Sequence, residues 1–264
     1  MERHTHKTHN AMKKTALLMA ALVVSGVAWA GDHTTDPDKY YLTPDQVADS
    51  RQLLPEPPAD GSMRLAYDRE QYEWGKTLRD TERGKQAIVD ANLNDGWLDR
   101  SFSEAFGMKL TKENTPEIYN LLTNMKEDAG DLSTRAAKNY YKRTRPFVKW
   151  NEHTATPWDE ESLAKNGSYP SGHTAIGWAT ALVLSEINPA RVNEILDRGF
   201  QFGQSRVIVG AHYQSDVDMG RVVGSGVIGV LHADPAFQEQ LAKAKAEFAV
   251  KSRMKEQILK APAN

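Results

Sequence analysis

Residues 171–187 read SGHTAIGWATALVLSEI. Ala175, Ile176, Trp178, Ala179, Ala181, Leu182, Val183 and Leu184 fall almost all round the projected helix, which predicts a helix buried at the centre of a domain rather than one lying on its surface. Ser171 stands ready as its N-cap, and Asn188-Pro189 ends it. The flanking stretches support the same class of fold. Apolar residues at spacings of three and four predict helices over 64–92, 97–107, 115–128 and 132–141, and again over 189–201 and 216–231. Thr43 before Pro44 starts a short helix that stops at Leu54, ahead of Pro55, Pro57 and Pro58. Asp234-Pro235 caps a last amphipathic helix whose face is Phe237, Leu241, Phe248 and Met254. No strand pattern of period two competes. The expectation is one all-α domain over 31–264, built around the buried helix, with 147–168 a long loop near the site and Trp150 and Trp158 as its candidate pocket wall.

The N-terminus reads differently. Lys13 and Lys14 precede an uncharged apolar run over 16–24, followed by Ser25, Gly26 and the small residues Ala28 and Ala30 around Trp29, the three-part layout of a secretory signal peptide cleaved after Ala30. The apolar run is too short to span a bilayer comfortably. Met12 heads a more ordinary signal than Met1 does, so 1–11 is a candidate upstream extension whose His4, His6 and His9 are incidental. The whole chain has 264 residues, 33 basic and 35 acidic, with a net charge of −2 and no cysteine. Removing Arg3, Lys7, Lys13, Lys14 and Glu2 with the leader leaves 29 basic against 34 acidic residues and a charge of −5. An even spread of charge and a mean hydropathy of −0.60 exclude a multi-span membrane protein and a disordered chain, and the charge balance argues against a dedicated nucleic-acid binder. Without cysteine there is no thiol nucleophile, disulfide or zinc-thiolate site.

Within this acidic chain, residues 135–149 carry six basic side chains (Arg135, Lys138, Lys142, Arg143, Arg145, Lys149) and no acidic one. They make either a solvated face or patch for an anionic surface, or a converging cation site: Lys138, Lys142 and Arg145 share a helical face, and Pro146 pushes Arg145 to an extended conformation at the helix end. A second block, Gly167-Ser168-Tyr169-Pro170-Ser171-Gly172-His173-Thr174, opens the buried helix. The free N–H groups and positive dipole end there, the Ser171 hydroxyl and the close approach allowed by Gly172 suit an oxyanion, with His173 in the first turn beside it. An ordinary serine cap with an exposed histidine is the plainer reading. A third block holds Arg206, His212 and Asp216. Asp216 can hold one ring nitrogen of His212 protonated and free the other as a nucleophile, while Arg206 supplies a bidentate clamp. A structural His–Asp pair, or two metal ligands, would use the same spacing. Gly224, Gly226 and Gly229 match a dinucleotide-binding GxGxxG, but after a helix and without a βαβ unit; small residues for helix packing are the simpler account.

Taken in order, Lys138-x6-Arg145-Pro146, then Pro170-Ser171-Gly172-His173, then Ser205-Arg206-x5-His212-x3-Asp216 resembles, at every defining position, the three-part signature of the type 2 phosphatidic acid phosphatase (PAP2) superfamily. The signal peptide and the extended GSYPSGHT block look specifically like the class A bacterial non-specific acid phosphatases. Lipid phosphatases and vanadium haloperoxidases are similar at these residues. The resemblance implies a helical PAP2/haloperoxidase-like fold and hydrolysis of phosphate monoesters of broad specificity, with transfer to acceptor alcohols as an accompanying activity. It assigns Lys138, Arg145, Arg206, Ser171 and Gly172 to the phosphoryl oxygens, His212 to nucleophilic attack, Asp216 to orienting His212, and His173 to protonating the leaving group. It further implies no metal and no cofactor, a mildly acidic pH optimum, a periplasmic homodimer, and small-molecule substrates rather than nucleic acid or membrane.

Overall fold

In the computed structural model, residues 40–262 are described; the leader and the start of the entry segment lie outside them. Among the described residues every regular element is helical. Short α1 (Ser50–Leu53) precedes α2 (Met63–Thr77), α3 (Glu82–Asp90) and α4 (Trp97–Phe106). Next, α5 (Pro116–Glu127) runs into a π-helical turn (Asp128–Leu132) and α6 (Arg135–Tyr141). After α7 (Pro146–Lys149) and α8 (Glu160–Ala164) come the four long helices α9 (Gly172–Ile187), α10 (Val192–Val209), α11 (Gln214–Ala233) and α12 (Pro235–Lys260).

As its composition predicts, α9 is the centre. Ser171 caps it by accepting from the Thr174 N–H, and α10, α11 and the π-helical turn pack around it. Close approach is obtained with glycine: a β-carbon at Gly177 would lie 2.1 Å from the Phe202 ring, and one at Gly220 2.6 Å from the Ser171 carbonyl oxygen. Gly224, from the GxGxxG match, lies inside α11 against the backbone of Ala175, whereas Gly226 and Gly229 approach nothing closely. Phe102, Phe106, Leu121, Leu122, Ile176, Leu184 and Phe202 join the main core, and Phe237 and Leu241 seal α12 onto it. Phe248 packs at its edge, but Met254 is 52% exposed, so the amphipathic face of α12 ends sooner than its pattern predicts.

Four element predictions need correction. The short helix expected from Pro44 to Leu54 is split into a 3-10 turn at Pro44–Gln46 and α1, because Val47 and Asp49 between them are extended and the Asp49 side chain caps α1 afresh by accepting from Arg51 N–H. The helix over 64–92 is broken at 78–81, because the Thr81 side chain caps α3 by accepting from Gly84 N–H and Gly84 packs directly under the Arg79 carbonyl. The helix predicted to end at 201 continues to Val209, where Gly210 at φ 85° closes it, so Arg206 lies on α10. The loop over 147–168 contains α8 and a 3-10 turn at Pro157–Asp159.

Candidate active site

The basic segment does not present one face. Lys142 ends α6 in the left-handed region at φ 44°, and its side chain is exposed, so it does not join Lys138 and Arg145. Arg145 is extended at φ −62°, ψ 150° ahead of Pro146, as the proline requires, and its side chain turns inward. Arg135 pairs with Asp131 and Lys149 with Asp60. Only Lys138, Arg143 and Arg145 face the site, and the third block adds Arg206 from α10.

Lys138 Nζ donates to Asn166 Oδ1 and to the Gly167 carbonyl, both at 3.0 Å. Arg145 donates to the Asn166 carbonyl and Oδ1, each at 3.2 Å, so the 166–167 turn ties these two cations together. Arg206 is 2% exposed, yet its Nε and Nη1 have no hydrogen-bond partner among the described residues. Burial drives the Lys138 pKa well below the ordinary lysine value, and the nearby Arg145 and Arg206 lower it further. Burial also lowers Arg145 to about 9 and Arg206 to about 10, with Asp159 and Asp90 partly offsetting the effect at Arg206. Three basic side chains thus lie together in a dry site, and two donors of Arg206 are left unmade there.

His212 is 2% exposed at the end of this cluster. Its Nδ1 lies 3.1 Å from Asp216 Oδ2, and its Nε2 lies 2.7 Å from Arg145 Nη1. A guanidinium can only donate, so Nε2 carries the lone pair and Nδ1 the proton shared with the carboxylate. Burial, Arg145, Arg206 and Lys138 hold the His212 pKa well below the usual histidine value, which keeps the ring neutral. Asp216 accepts from Ser168 Oγ, from Tyr213 N–H at 3.0 Å and from Arg143 Nη1 at 2.7 Å. Burial raises its pKa, and Arg143 and these hydrogen bonds work against that rise.

On the other flank, His173 stands in the first turn of α9, stacked on Phe202 with ring centroids 5.8 Å apart. Its Nε2 lies 3.2 Å from the Asp90 carbonyl. A carbonyl only accepts, so Nε2 keeps its proton and Nδ1 is the nitrogen that can gain and lose one. Ser171 Oγ accepts from Thr174 N–H and Oγ1, and its own proton remains for an oxyanion next to the N1 position of Gly172. The sequence-derived residues Lys138, Arg145, Ser171, Gly172, His173, Arg206, His212 and Asp216 all lie on the elements that meet around this cluster.

Sequence reasoning missed the supports. Arg143 bridges Asp216 and Asp68 while its guanidinium lies 3.7 Å from the Tyr213 ring centroid. Asp90, fully buried, accepts from Gln86, Ser101, Arg198 and Ser205, which fixes the residue whose carbonyl holds His173. No motif marks Asp68 or Asp90; their only signal is a carboxylate in an otherwise amphipathic helix. Among the described residues no group of three or more His, Cys, Asp or Glu is placed to hold a metal ion.

A helical domain whose buried Lys138, Arg145 and Arg206 accompany a His212–Asp216 pair points to one class, the PAP2 superfamily, whose family model matches residues 129–239. The chain is 56% identical to a non-specific acid phosphatase of Providencia stuartii, over 86% of this chain and 92% of the relative. It is 46% identical to one of Salmonella typhimurium, over 81% and 86% of the two chains, and 35% identical to an acid phosphatase of Zymomonas mobilis, over 88% and 87%. The chain therefore belongs to the class A-type bacterial non-specific acid phosphatases of the PAP2 superfamily.

Proposed function

We propose that this chain is an exported acid phosphatase that hydrolyses phosphate monoesters of broad specificity through a phosphohistidine on His212. The observation that carries the reading is the buried cluster of Lys138, Arg145 and Arg206, with two Arg206 nitrogens unpartnered, beside a neutral His212 whose lone pair points at Arg145. A phosphoryl group entering the cradle takes over those donors and the Arg145 contact, which releases His212 Nε2 to face phosphorus. Ser171 Oγ and the Gly172 N–H add donors to its oxygens.

In the first step His212 Nε2 forms a bond to phosphorus as the bond to the ester oxygen breaks. His173 Nδ1 gives its proton to that oxygen, and the alcohol leaves. Asp216, held by Arg143 and Ser168, stabilises the positive charge that develops on the His212 ring. In the second step His173 Nδ1 removes a proton from water, the water oxygen attacks phosphorus, and the P–N bond breaks to regenerate His212. An alcohol in place of water gives phosphotransfer. The cations supply the charge stabilisation that a metal supplies elsewhere, so the reaction is proposed to need none.

The roles of the two imidazoles set the pH dependence: His173 must enter protonated and His212 neutral. The depressed His212 pKa keeps it neutral as pH falls, so mildly acidic pH favours both conditions. Export to the periplasm is proposed from the signal-like segment before residue 31; no helix of the described residues is long and apolar enough to cross a membrane. The homodimer is proposed from family resemblance.

The test is p-nitrophenyl phosphate turnover at pH 5–6 with and without EDTA and orthovanadate. Activity that persists in EDTA and is lost with orthovanadate supports the reading; inactivation by EDTA refutes its metal-independent form. Vanadate-dependent bromide oxidation by peroxide, without phosphatase turnover, would instead assign the cradle to haloperoxidase chemistry.

A further inference from the structure

The cations of this chain that lie under its surface are answered in two different ways. Arg143 stands between the carboxylates of Asp68 and Asp216, Arg198 pairs with Asp90, and Arg135 pairs with Asp131. Arg145 comes two residues after Arg143 and is 2% exposed, yet among the described residues its donors meet only uncharged groups. These are the Asn166 and Ala211 carbonyls, Asn166 Oδ1 and the neutral His212 ring. Lys138 donates to Asn166 Oδ1 as well, and to the Gly167 carbonyl.

Asn166 is therefore the side chain common to both cations. One oxygen serves them, 3.0 Å from Lys138 Nζ and 3.2 Å from Arg145 Nη2. Lysine and arginine only donate, so the carboxamide must turn Oδ1 toward them. Its NH2 end makes no hydrogen bond among the described residues. If holding two cations were the whole task, a carboxylate would do it better, because hydrogen bonds between charged partners are roughly twice as strong as neutral ones. What the amide lacks is charge. An aspartate here would cancel much of the positive potential that an entering phosphoryl group meets.

The turn itself is held without this side chain. Asn166 N–H donates to the Leu163 carbonyl at 3.2 Å and Ser168 N–H to the Arg143 carbonyl at 2.9 Å. The Asn166 and Gly167 carbonyls accept from Arg145 Nε and Lys138 Nζ. Gly167 also lies directly on α6, where a β-carbon would come within 2.7 Å of the Lys138 carbonyl oxygen. Backbone contacts thus set the position of the turn, and the carboxamide is left to act on the cations.

We infer that Asn166 is a positioning residue that aligns Lys138 and Arg145 for the phosphoryl group and, being neutral, leaves their charge for that group. The inference rests on the phosphatase reading of the cradle.

The experiment measures orthovanadate Kd, kcat/KM for p-nitrophenyl phosphate and the ligand-free Tm in the wild type, Asn166→Asp and Asn166→Ala. Asn166→Ala removes two hydrogen bonds to charged donors and is expected to weaken orthovanadate about tenfold. Asn166→Asp keeps both acceptor bonds but sets a like charge beside the anion, and should weaken it about a hundredfold, with kcat/KM falling in the same order. The ligand-free Tm should run the other way, higher in Asn166→Asp than in Asn166→Ala, because the carboxylate pairs with two buried cations. A side chain that merely braces the turn would put affinity and Tm in the same order, so orthovanadate binding in Asn166→Asp as tight as in Asn166→Ala overturns the inference. Asn166→Glu and Asn166→Gln repeat the charge comparison on a longer arm, and decide it should Asn166→Asp not fold: Asn166→Glu is expected to bind the more weakly, and equal affinities overturn the inference. Either result leaves the phosphatase reading intact. If the wild type neither turns over p-nitrophenyl phosphate nor binds orthovanadate, it is the phosphatase reading that fails.

Discussion

At the scale of single residues, the site depends on how one carboxylate is kept charged in a dry place. Asp216 is fully buried, which alone would favour its neutral form, and Arg143 is the cation that opposes this. Arg143→Gln removes that charge, so the Asp216 pKa rises. Below the new pKa the protonated Asp216 no longer stabilises the His212 imidazolium. The acid limb of the kcat/KM profile is therefore expected to move to higher pH, with kcat at the optimum reduced about tenfold, by analogy with other orienting partners. An unchanged profile would show that Arg143 only packs against Tyr213. The residues of the proposed site stand out in the sequence because they sit in short blocks whose spacing has a chemical meaning, as between His212 and Asp216. Arg143, Asp68 and Asp90 do not, since their role is defined by partners distant in the chain, such as Asp68 for Arg143 and Ser205 for Asp90.

Among elements, the π-helical turn Asp128–Leu132 carries a pH dependence of its own. Glu127 and Asp128, at the junction with α5, are buried, and that burial raises each pKa to about 7. Both Glu127 oxygens lack hydrogen-bond partners, whereas Asp128 accepts from the N–H groups of Tyr41 and Leu42. A carboxyl whose folded pKa is raised holds its proton more tightly when folded. Its contribution is present at low pH and is lost as pH rises from the unfolded value toward the folded one. The fold is thus expected to melt at a higher temperature at pH 5 than at pH 8, and Glu127→Gln should raise the pH 8 melting temperature and flatten the dependence. For Glu127 the difference is on the order of 2 kcal/mol, read by thermal melts across pH. A Glu127→Gln melt as pH-dependent as the wild type would contradict this. The long helices were legible because their apolar period or, for α9, their uniform apolarity reports burial directly. The break before α3 was not: Thr81 and Gly84 are both compatible with a continuing helix, and only the contact of Gly84 with Arg79 decides against one.

For the whole molecule, the governing fact is a concentration of buried positive charge inside a chain of net charge −2. An anion that binds only the folded cradle must stabilise the fold: orthovanadate at a hundred times its Kd is worth about 2.7 kcal/mol, or a rise in Tm of about 5–10 °C for a domain of this size. Arg206→Met should abolish most of that rise, and an undiminished rise would place the anion elsewhere. The central claim is that His212 becomes covalently phosphorylated, and it is tested most directly in His173→Ala. With p-nitrophenyl phosphate the leaving group needs no proton, so His212 can still be phosphorylated, whereas hydrolysis of the intermediate loses its base and slows by about a hundredfold or more. Rapid quench of that variant, followed by peptide mapping under alkaline conditions that preserve phosphohistidine, should recover close to one phosphoryl group per chain on His212. No covalent phosphate at any time point, while p-nitrophenol is still released, would contradict the account.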